Sequence, residues 1–324
     1  MAKSQTSQPL SHSLWDWFCL ASIIGIWPRY IEPKLVFTTN LKLPIPNLPK
    51  ALHNLRILQI SDLHLHNGMS DAFMQKVANK IQAYHPDIIT CTGDFLCHGL
   101  LKAPERLRHW LQKLQAPYGC YAVLGNHDYA GYIAINAQGE YDLLPAPSST
   151  VFSGFKRLRP SCKLTKTTTT RARQVPLNRE LLALLNDTPF KLLHNNTLTV
   201  PIKGSKLNIS GLGEYMQGSC DPQAAFKNYD TDYPGIVLLH NPDGFSLLKN
   251  TPGDVVLCGH THGGQINLPW LWKKFTRIEN LQYKQGLFKV DGKWLYVNRG
   301  IGSVLPLRCF SPPEILLCTL EQAS

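Results

Sequence analysis

The chain has 324 residues, 44% of them apolar, and a formal charge of +11. That length and composition fit one large globular domain, or a domain with an elaborated insert, and exclude a disordered chain. The basic surplus points to an anionic partner: a phosphorylated substrate, an anionic membrane surface or nucleic acid.

Read from the start, residues Trp17 to Pro28, "WFCLASIIGIWP", carry no charge, with Asp16 before them and Arg29 after. Such a run is shorter than the ~20 residues needed to span a bilayer. No small-residue cleavage site follows a basic region, as a secretory signal would require. The aromatics Trp15, Trp17, Phe18 and Trp27 in an otherwise aliphatic stretch suit a helix lying at a lipid interface, or one packed on the protein's own core. Residues 1–50 are therefore read as a membrane-associating segment followed by a proline-rich link, "KLPIPNLPK", and residues 51–324 as the main domain.

Strand and helix signals then alternate. "LRILQISDLH" is a strand ending in polar residues, and "DAFMQKVANKIQAYHP" a helix stopped by Pro86. "DIITCTGDFL" is again strand then loop, and "PERLRHWLQKLQA" a helix with Leu107, Trp110, Leu111 and Leu114 on one face. "GCYAVLGNHDY" is the third strand and loop, followed by a weaker helix near 131–144. From Val151 to Arg179 come Lys156, Arg157, Arg159, Lys163, Lys166, Arg171, Arg173 and Arg179 with no acid, a stretch read as a solvated loop or a mobile basic lid. Beyond it "FKLLHNNTLTV", "SKLNISGLGEY", "GIVLLHNPD", "DVVLCGHTHGG" and "KWLYVNRGIG" are short strands separated by turns. Two sets of near-continuous apolar strands predict an α/β protein of two sheets packed face to face with helices outside. The nine cysteines, an odd number without a CxxC pair, make a disulfide framework or a cysteine–zinc site a poor fit and point to a reducing compartment.

Metal-ligand residue types recur where these strands end. Asp62 and His64 follow the first, Asp94 the second, Asn126, His127 and Asp128 the third, His240 a later one, and His260 with His262 the next. Residues two apart on an extended segment share a side, so Asp62 with His64, and His260 with His262, are expected to converge. The carboxyl ends of strands in an α/β sheet form a crevice where such groups meet. Two aspartates, four histidines and an asparagine are too many for one tetrahedral zinc and suit two ions sharing one carboxylate, with Asp94 the expected bridge. Two ions about 3.5–4 Å apart suit in-line attack at phosphorus by a bridging water or hydroxide. Imidazole with carboxylate fits manganese, zinc or iron better than magnesium.

"SDLH", "TGD", "GNHD", "HNPD" and "GHTHGGQ", in this order, resemble the calcineurin-like metallophosphoesterase family. The resemblance covers roughly residues 54–320 and implies a β-sandwich of two mixed sheets flanked by helices. It implies that Asp62, His64, Asp94 and His262 hold one divalent ion, and Asp94, Asn126, His240 and His260 the other, with Mn2+ expected. It makes His127 a catalytic residue that contacts the phosphate and stabilises or protonates the leaving oxygen, with Asp128 orienting its ring. "RGIGSVLPLRCFSPPEI" resembles the ending of the membrane-associated bacterial phosphodiesterase branch of this family.

Weaker candidates surround this set. His66 is a rim residue that touches substrate or is plain polar surface, and Arg308, on a loop expected to be exposed, is a candidate phosphate contact. "LPWLWKKF" sets Trp270, Trp272 and Phe275 beside Lys273 and Lys274, which suits a buried corner or a lipid headgroup. A lipid-borne pyrophosphate would explain the apolar segment, this motif and the basic insert together. The chain resembles the chlamydial-type pyrophosphatases that cleave UDP-2,3-diacylglucosamine to UMP and 2,3-diacylglucosamine 1-phosphate in lipid A synthesis. Expected partners are thus a lipid-linked nucleotide sugar and a membrane surface, with neither nucleic acid nor an obligate protein partner. The expected location is the bacterial inner membrane with the site facing the cytoplasm. The alternatives are action on another phospholipid or small phosphodiester and, after those, a nuclease, a protein phosphatase or a membrane-bound scaffold without activity.

Overall fold

Strands that are apolar on both faces need a cover on each side. A computed structural model of the chain, which describes residues 10–147, 163–305 and 307–323, supplies it with two six-stranded sheets. The first runs β1 (Phe37–Ile45), β14 (Glu314–Gln322), β2 (Arg56–Ile60), β3 (Ile88–Cys91), β4 (Cys120–Ala122), β7 (Phe190–Leu192). The second runs β12 (Gly286–Val290), β13 (Lys293–Val297), β11 (Val255–Cys258), β10 (Gly235–Leu238), β9 (Ser205–Gly211), β8 (Asn196–Ile202). Both are mixed. β2, β3, β4 and β7 are parallel while β14 runs antiparallel to β2; β9, β10, β11 and β13 are parallel, with antiparallel β8 and β12 at the edges.

Alternation along each strand splits the core into layers. Ile57, Ile88, Tyr121 and Leu316 of the first sheet meet Ile236, Leu238, Val255 and Leu257 of the second in one buried cluster between the sheets. Their neighbours Leu58, Ile89 and Leu317 point the other way, toward helices; Val237, Val256 and Leu295 form the outer face of the second sheet. Among the described residues the α-helices are α1 (Leu10–Ala21), α2 (Asp71–Ala83), α3 (Pro104–Gln112), α4 (Thr170–Arg173), α5 (Arg179–Asn186), α6 (Pro222–Ala225) and α7 (Trp272–Phe275). α2 starts where the Ser70 hydroxyl accepts the Phe73 N–H, and it buries Met74, Val77, Ala78 and Ile81 at helical spacing. α3 and α5 add Leu107, Trp110, Leu181 and Leu184 to the same layer. The expected α/β sandwich with flanking helices is what the chain forms.

Three local readings are corrected. Residues 131–144 are a hairpin, β5 (Tyr132–Ile135) with β6 (Tyr141–Leu144), because Asn136 closes a turn by accepting the Gln138 and Glu140 amides. The proline-rich link begins as the end of strand β1, which takes in Lys42–Ile45 and pairs in parallel with β14 along nine residues. Pro44 is accommodated because β1 lies at the sheet edge, where a missing N–H breaks no inner ladder. The described part of the basic stretch, from Lys163 onward, is held to the domain: Lys166 pairs with Glu279 at 3.2 Å and Arg171 with Asp142. Lys156, Arg157 and Arg159 lie outside the described residues.

At the N-terminus, α1 continues into a π-type helix over Ser22–Ile31 that contains Pro28. Trp15, Trp17 and Phe18 are mostly exposed, as are Trp270 and Phe310 elsewhere. Among the described residues, no helix is long and apolar enough to cross a membrane.

Candidate dinuclear metal centre

Because β2, β3 and β4 run parallel, as do β10 and β11, the loops leaving their carboxyl ends meet at one edge of the sandwich. All seven residues expected as ligands come together there. On one side, Nε2 of His64 and Nε2 of His262 are 3.0 Å apart, and Asp62 Oδ1 lies 3.6 Å from His262 and 3.8 Å from His64. On the other, His260 Nδ1 lies 3.1 Å from Asn126 Oδ1 and 3.2 Å from His240 Nε2. Asp94 stands between: its Oδ2 is 3.3 Å from both His64 Nε2 and His240 Nε2.

The convergence does not come from strand alternation. Asp62, His64, Asp94, His260 and His262 all have positive φ, between 43° and 71°, so each turns off its strand in the left-handed region. His260 and His262 consequently part company: the first joins Asn126 and His240, the second joins Asp62 and His64. Gly259 explains the tightness of this turn, since a Cβ there would sit 1.9 Å from Ser61 Oγ and 2.4 Å from Asp62 Oδ2.

Backbone groups and buried side chains hold the ring orientations. His64 Nδ1 lies 3.0 Å from the Leu96 carbonyl and His240 Nδ1 2.6 Å from the Thr92 carbonyl, so each ring donates from Nδ1 and turns Nε2 toward the cluster. Burial above all, then the neighbouring imidazoles and Arg308, holds His262 well below the usual histidine range; burial and His240 hold His260 down to about 3. For Asp94 burial opposes ionisation, but His240, His127 and His64 outweigh it and hold the carboxyl well below its usual range. His240 runs the other way: burial opposes its charged form, but Asp94 outweighs burial and holds the ring well above the usual histidine range, so a cation bound there would displace that proton.

His127 is buried, and its Nδ1 accepts the backbone N–H of His98 at 2.8 Å. Its proton therefore sits on Nε2, and burial keeps the ring neutral. Asp128 is not the group that orients it. The Asp128 carboxylate accepts three backbone amides, from Asp94 at 2.7 Å and from Leu96 and Gly125 at 3.0 Å, and so fastens the loops after β3 and β4 together. Burial and the nearby Asp94 charge push its pKa up to about 8, against the pull of those amides.

Two further expectations change. Arg308 is fully buried rather than on an exposed loop. Its guanidinium donates to the carbonyls of Ser311, Gly300 and Gly302 and lies 3.3 Å from His262 Nδ1, so it braces a ring instead of meeting solvent. His66 is half-buried, and its Nδ1 accepts the Gly68 N–H, as a turn residue does. Sequence reasoning missed the buried Glu32 and Ser311, which reach the same loop, because nothing local to either residue signals that contact.

The cluster opens into a cleft of about 410 Å³. Lys274, Phe275 and Arg277 line one part, and Ile135, Leu144 and Pro145 of the hairpin line another. Three groups of imidazole and carboxylate donors among the described residues, Asp62–His64–His262, His64–Asp94–His127 and Asp94–His240–His260, have the chemistry of divalent-cation sites.

Replacing Asp128 with alanine strips the acceptor from three amides and is expected to destabilise the fold by about 3 kcal/mol. Urea unfolding measures it; a purely ring-orienting Asp128 would leave stability unchanged.

Comparison with known proteins agrees with this geometry. The calcineurin-like phosphoesterase family model matches residues 55–264, which contain all seven ligand candidates. The UDP-2,3-diacylglucosamine pyrophosphatase LpxG of Chlamydia trachomatis is 41% identical over 304 residues, 90% of this chain and 91% of the relative. LpxG of Chlamydia muridarum is also 41% identical, over 305 residues and the same shares. An uncharacterized metallophosphoesterase of Bacillus subtilis, YkuE, is 27% identical over 92% of this chain and 90% of its own. The chain belongs to the calcineurin-like phosphoesterase family, whose members are metal-dependent phosphoester hydrolases, and divalent cations are implied at the cluster.

Proposed function

We propose that this chain hydrolyses the pyrophosphate of UDP-2,3-diacylglucosamine, releasing UMP and 2,3-diacylglucosamine 1-phosphate for lipid A synthesis. The observation that carries the reading is the extent of the likeness to the two chlamydial pyrophosphatases, each 41% identical over 90% of this chain. The cleft fits an amphipathic substrate: cationic Lys274 and Arg277 suit phosphate oxygens, while Ile135, Leu144 and Pro145 suit hydrocarbon.

Asp62, His64, Asp94 and His262 would hold one divalent ion, and Asp94, Asn126, His240 and His260 the other, with Mn2+ the proposed metal and Zn2+ or Fe2+ chemically compatible. Bound there, two cations neutralise phosphate oxygens and lower the pKa of a water molecule. The protein's own groups do the rest. Backbone amides and carbonyls fix the ligand rings in place before substrate arrives. The His127 Nε2–H, fixed as a donor by the His98 amide behind it, is offered to the oxygen of the departing sugar phosphate. A water oxygen bonds to the uridine-side phosphorus as the bond from that phosphorus to the bridging oxygen breaks.

The reaction in H2(18)O tests the site of attack: mass spectrometry should find the label in UMP and none in the sugar phosphate. Absence of UMP, with good turnover of simple aryl phosphodiesters, would discard this substrate. For His127→Ala we expect kcat to fall about 10²–10⁴-fold, with bound metal unchanged by elemental analysis.

Association with a membrane surface is part of the same proposal. It is supported by the exposed indoles of Trp15 and Trp17 and by Phe18 on a helix too short to span. Changing these three residues to serine should lower flotation with anionic vesicles about tenfold or more; unchanged flotation would remove this segment as the anchor.

A further inference from the structure

The N-terminal segment does more than present aromatic side chains outward, because its inner end is bolted to the metal centre. Glu32, which follows the π-type helix, is 3% exposed. Its carboxylate accepts the Ser311 amide at 2.6 Å, the Phe310 amide at 3.0 Å and the Trp27 indole N–H at 2.8 Å. Beside it, the Arg308 amide donates to the Pro28 carbonyl at 2.8 Å. Three bonds thus tie residues 28–32 to a loop nearly 280 positions away in the chain, and the Trp27 indole braces the carboxylate from its own side.

That loop is the one that holds His262. Ser311 Oγ donates to the His262 carbonyl at 2.5 Å, and the Arg308 guanidinium lies against the ring's Nδ1 while donating to the Ser311 carbonyl. A shift of the Phe310–Ser311 backbone therefore displaces both the main chain and the ring of one ligand. The same loop reaches Asp62, whose carbonyl accepts the Gly302 amide at 2.7 Å; a Cβ on Gly302 would lie 1.8 Å from the Leu63 carbonyl, so the two loops leave no slack. The other half of the centre is held by other elements: Asn126 donates to the Ile133 carbonyl of β5 and lies against His260, and His240 faces the Thr92 carbonyl after β3.

We propose that Glu32 is a positioning residue for the Asp62–His64–His262 half of the metal centre, acting through the Phe310–Ser311 backbone. It rests on the metal-centre reading and is independent of the substrate. A carboxylate that accepts two successive amides is a charge-assisted clamp, and its loss leaves those amides buried without partners. Groups that orient ligands in this indirect way typically change metal affinity about 10–100-fold when removed.

The test uses the full chain in detergent, stripped of metal and titrated with Mn2+ by calorimetry, with amide exchange followed on the metal-free protein. The wild type is expected to take up two ions. Glu32→Ala should weaken one of the two steps by about 10–100-fold and leave the other unchanged. It should also speed exchange at the amides of Phe310 and Ser311 while leaving those of β10 and β11 protected. Trp27→Phe, which removes only the indole bond, should bind both ions as the wild type does. If Glu32→Ala does not fold, Glu32→Gln, which keeps one acceptor oxygen, decides on the same criteria with a smaller loss. Folded variants that bind both ions with wild-type affinity overturn the proposal. A wild type that binds fewer than two ions would sink the metal-centre reading itself, and the proposal with it.

Discussion

Asp62 and Asp94 are buried carboxylates facing four imidazoles whose ring nitrogens approach to about 3 Å, with almost no solvent to screen them. Such a cluster opposes its own assembly: the carboxylates lose hydration and the imidazoles present lone pairs to one another. Five of its members also occupy left-handed backbone, at about 1–2 kcal/mol each. Everything around the site makes sense as the structure that overcomes this. Asp128 gathers three amides, the sandwich core buries the strands behind the loops, and Gly125, Gly259 and Gly300 stand where a side chain would collide with Asp94 or Asp62. A site built this way is ready for cations before they arrive, which is what low reorganisation in hydrolysis of a phosphate linkage requires.

Much of this was readable from the chain alone, and for a physical reason. Each candidate ligand stands at the end of a strongly apolar strand, so one local pattern reports both the fold and the edge where chemistry collects. Residues whose partners are distant in sequence could not be read so. Arg308 and Glu32 look like surface charges, and only the closing of the loop after β13 over His262 and against the N-terminal segment buries them. Asp128 was recognised as important through its neighbour, whereas its three amide partners follow from loop conformation that no spacing encodes. The hairpin at 132–144 was missed because two four-residue strands of mixed composition carry too short a period to separate from a helix.

The aromatic N-terminus and the metal centre are usually thought of as separate parts, one for location and one for catalysis. Here a buried carboxylate at the base of the first reaches the loop that steadies the second. An exposed hydrophobic element would then be attached to the domain by polar bonds near the site, with its aromatic face left outward. Such an attachment also explains why so much of the loop after β13, with its buried arginine, is devoted to groups that never meet the cleft.

The position of β14 has a consequence for biogenesis. This strand, the last among the described residues, is an inner member of the first sheet, hydrogen-bonded to β1 on one side and to β2 on the other. Until β14 arrives, β1 has no neighbour, and the strand that leads to Asp62 and His64 lacks one flank. Contacts spanning nearly the entire length of a chain close late and slowly. β1 thus has no partner strand until β14 is in place, so the first sheet closes only after every strand of the second has been made.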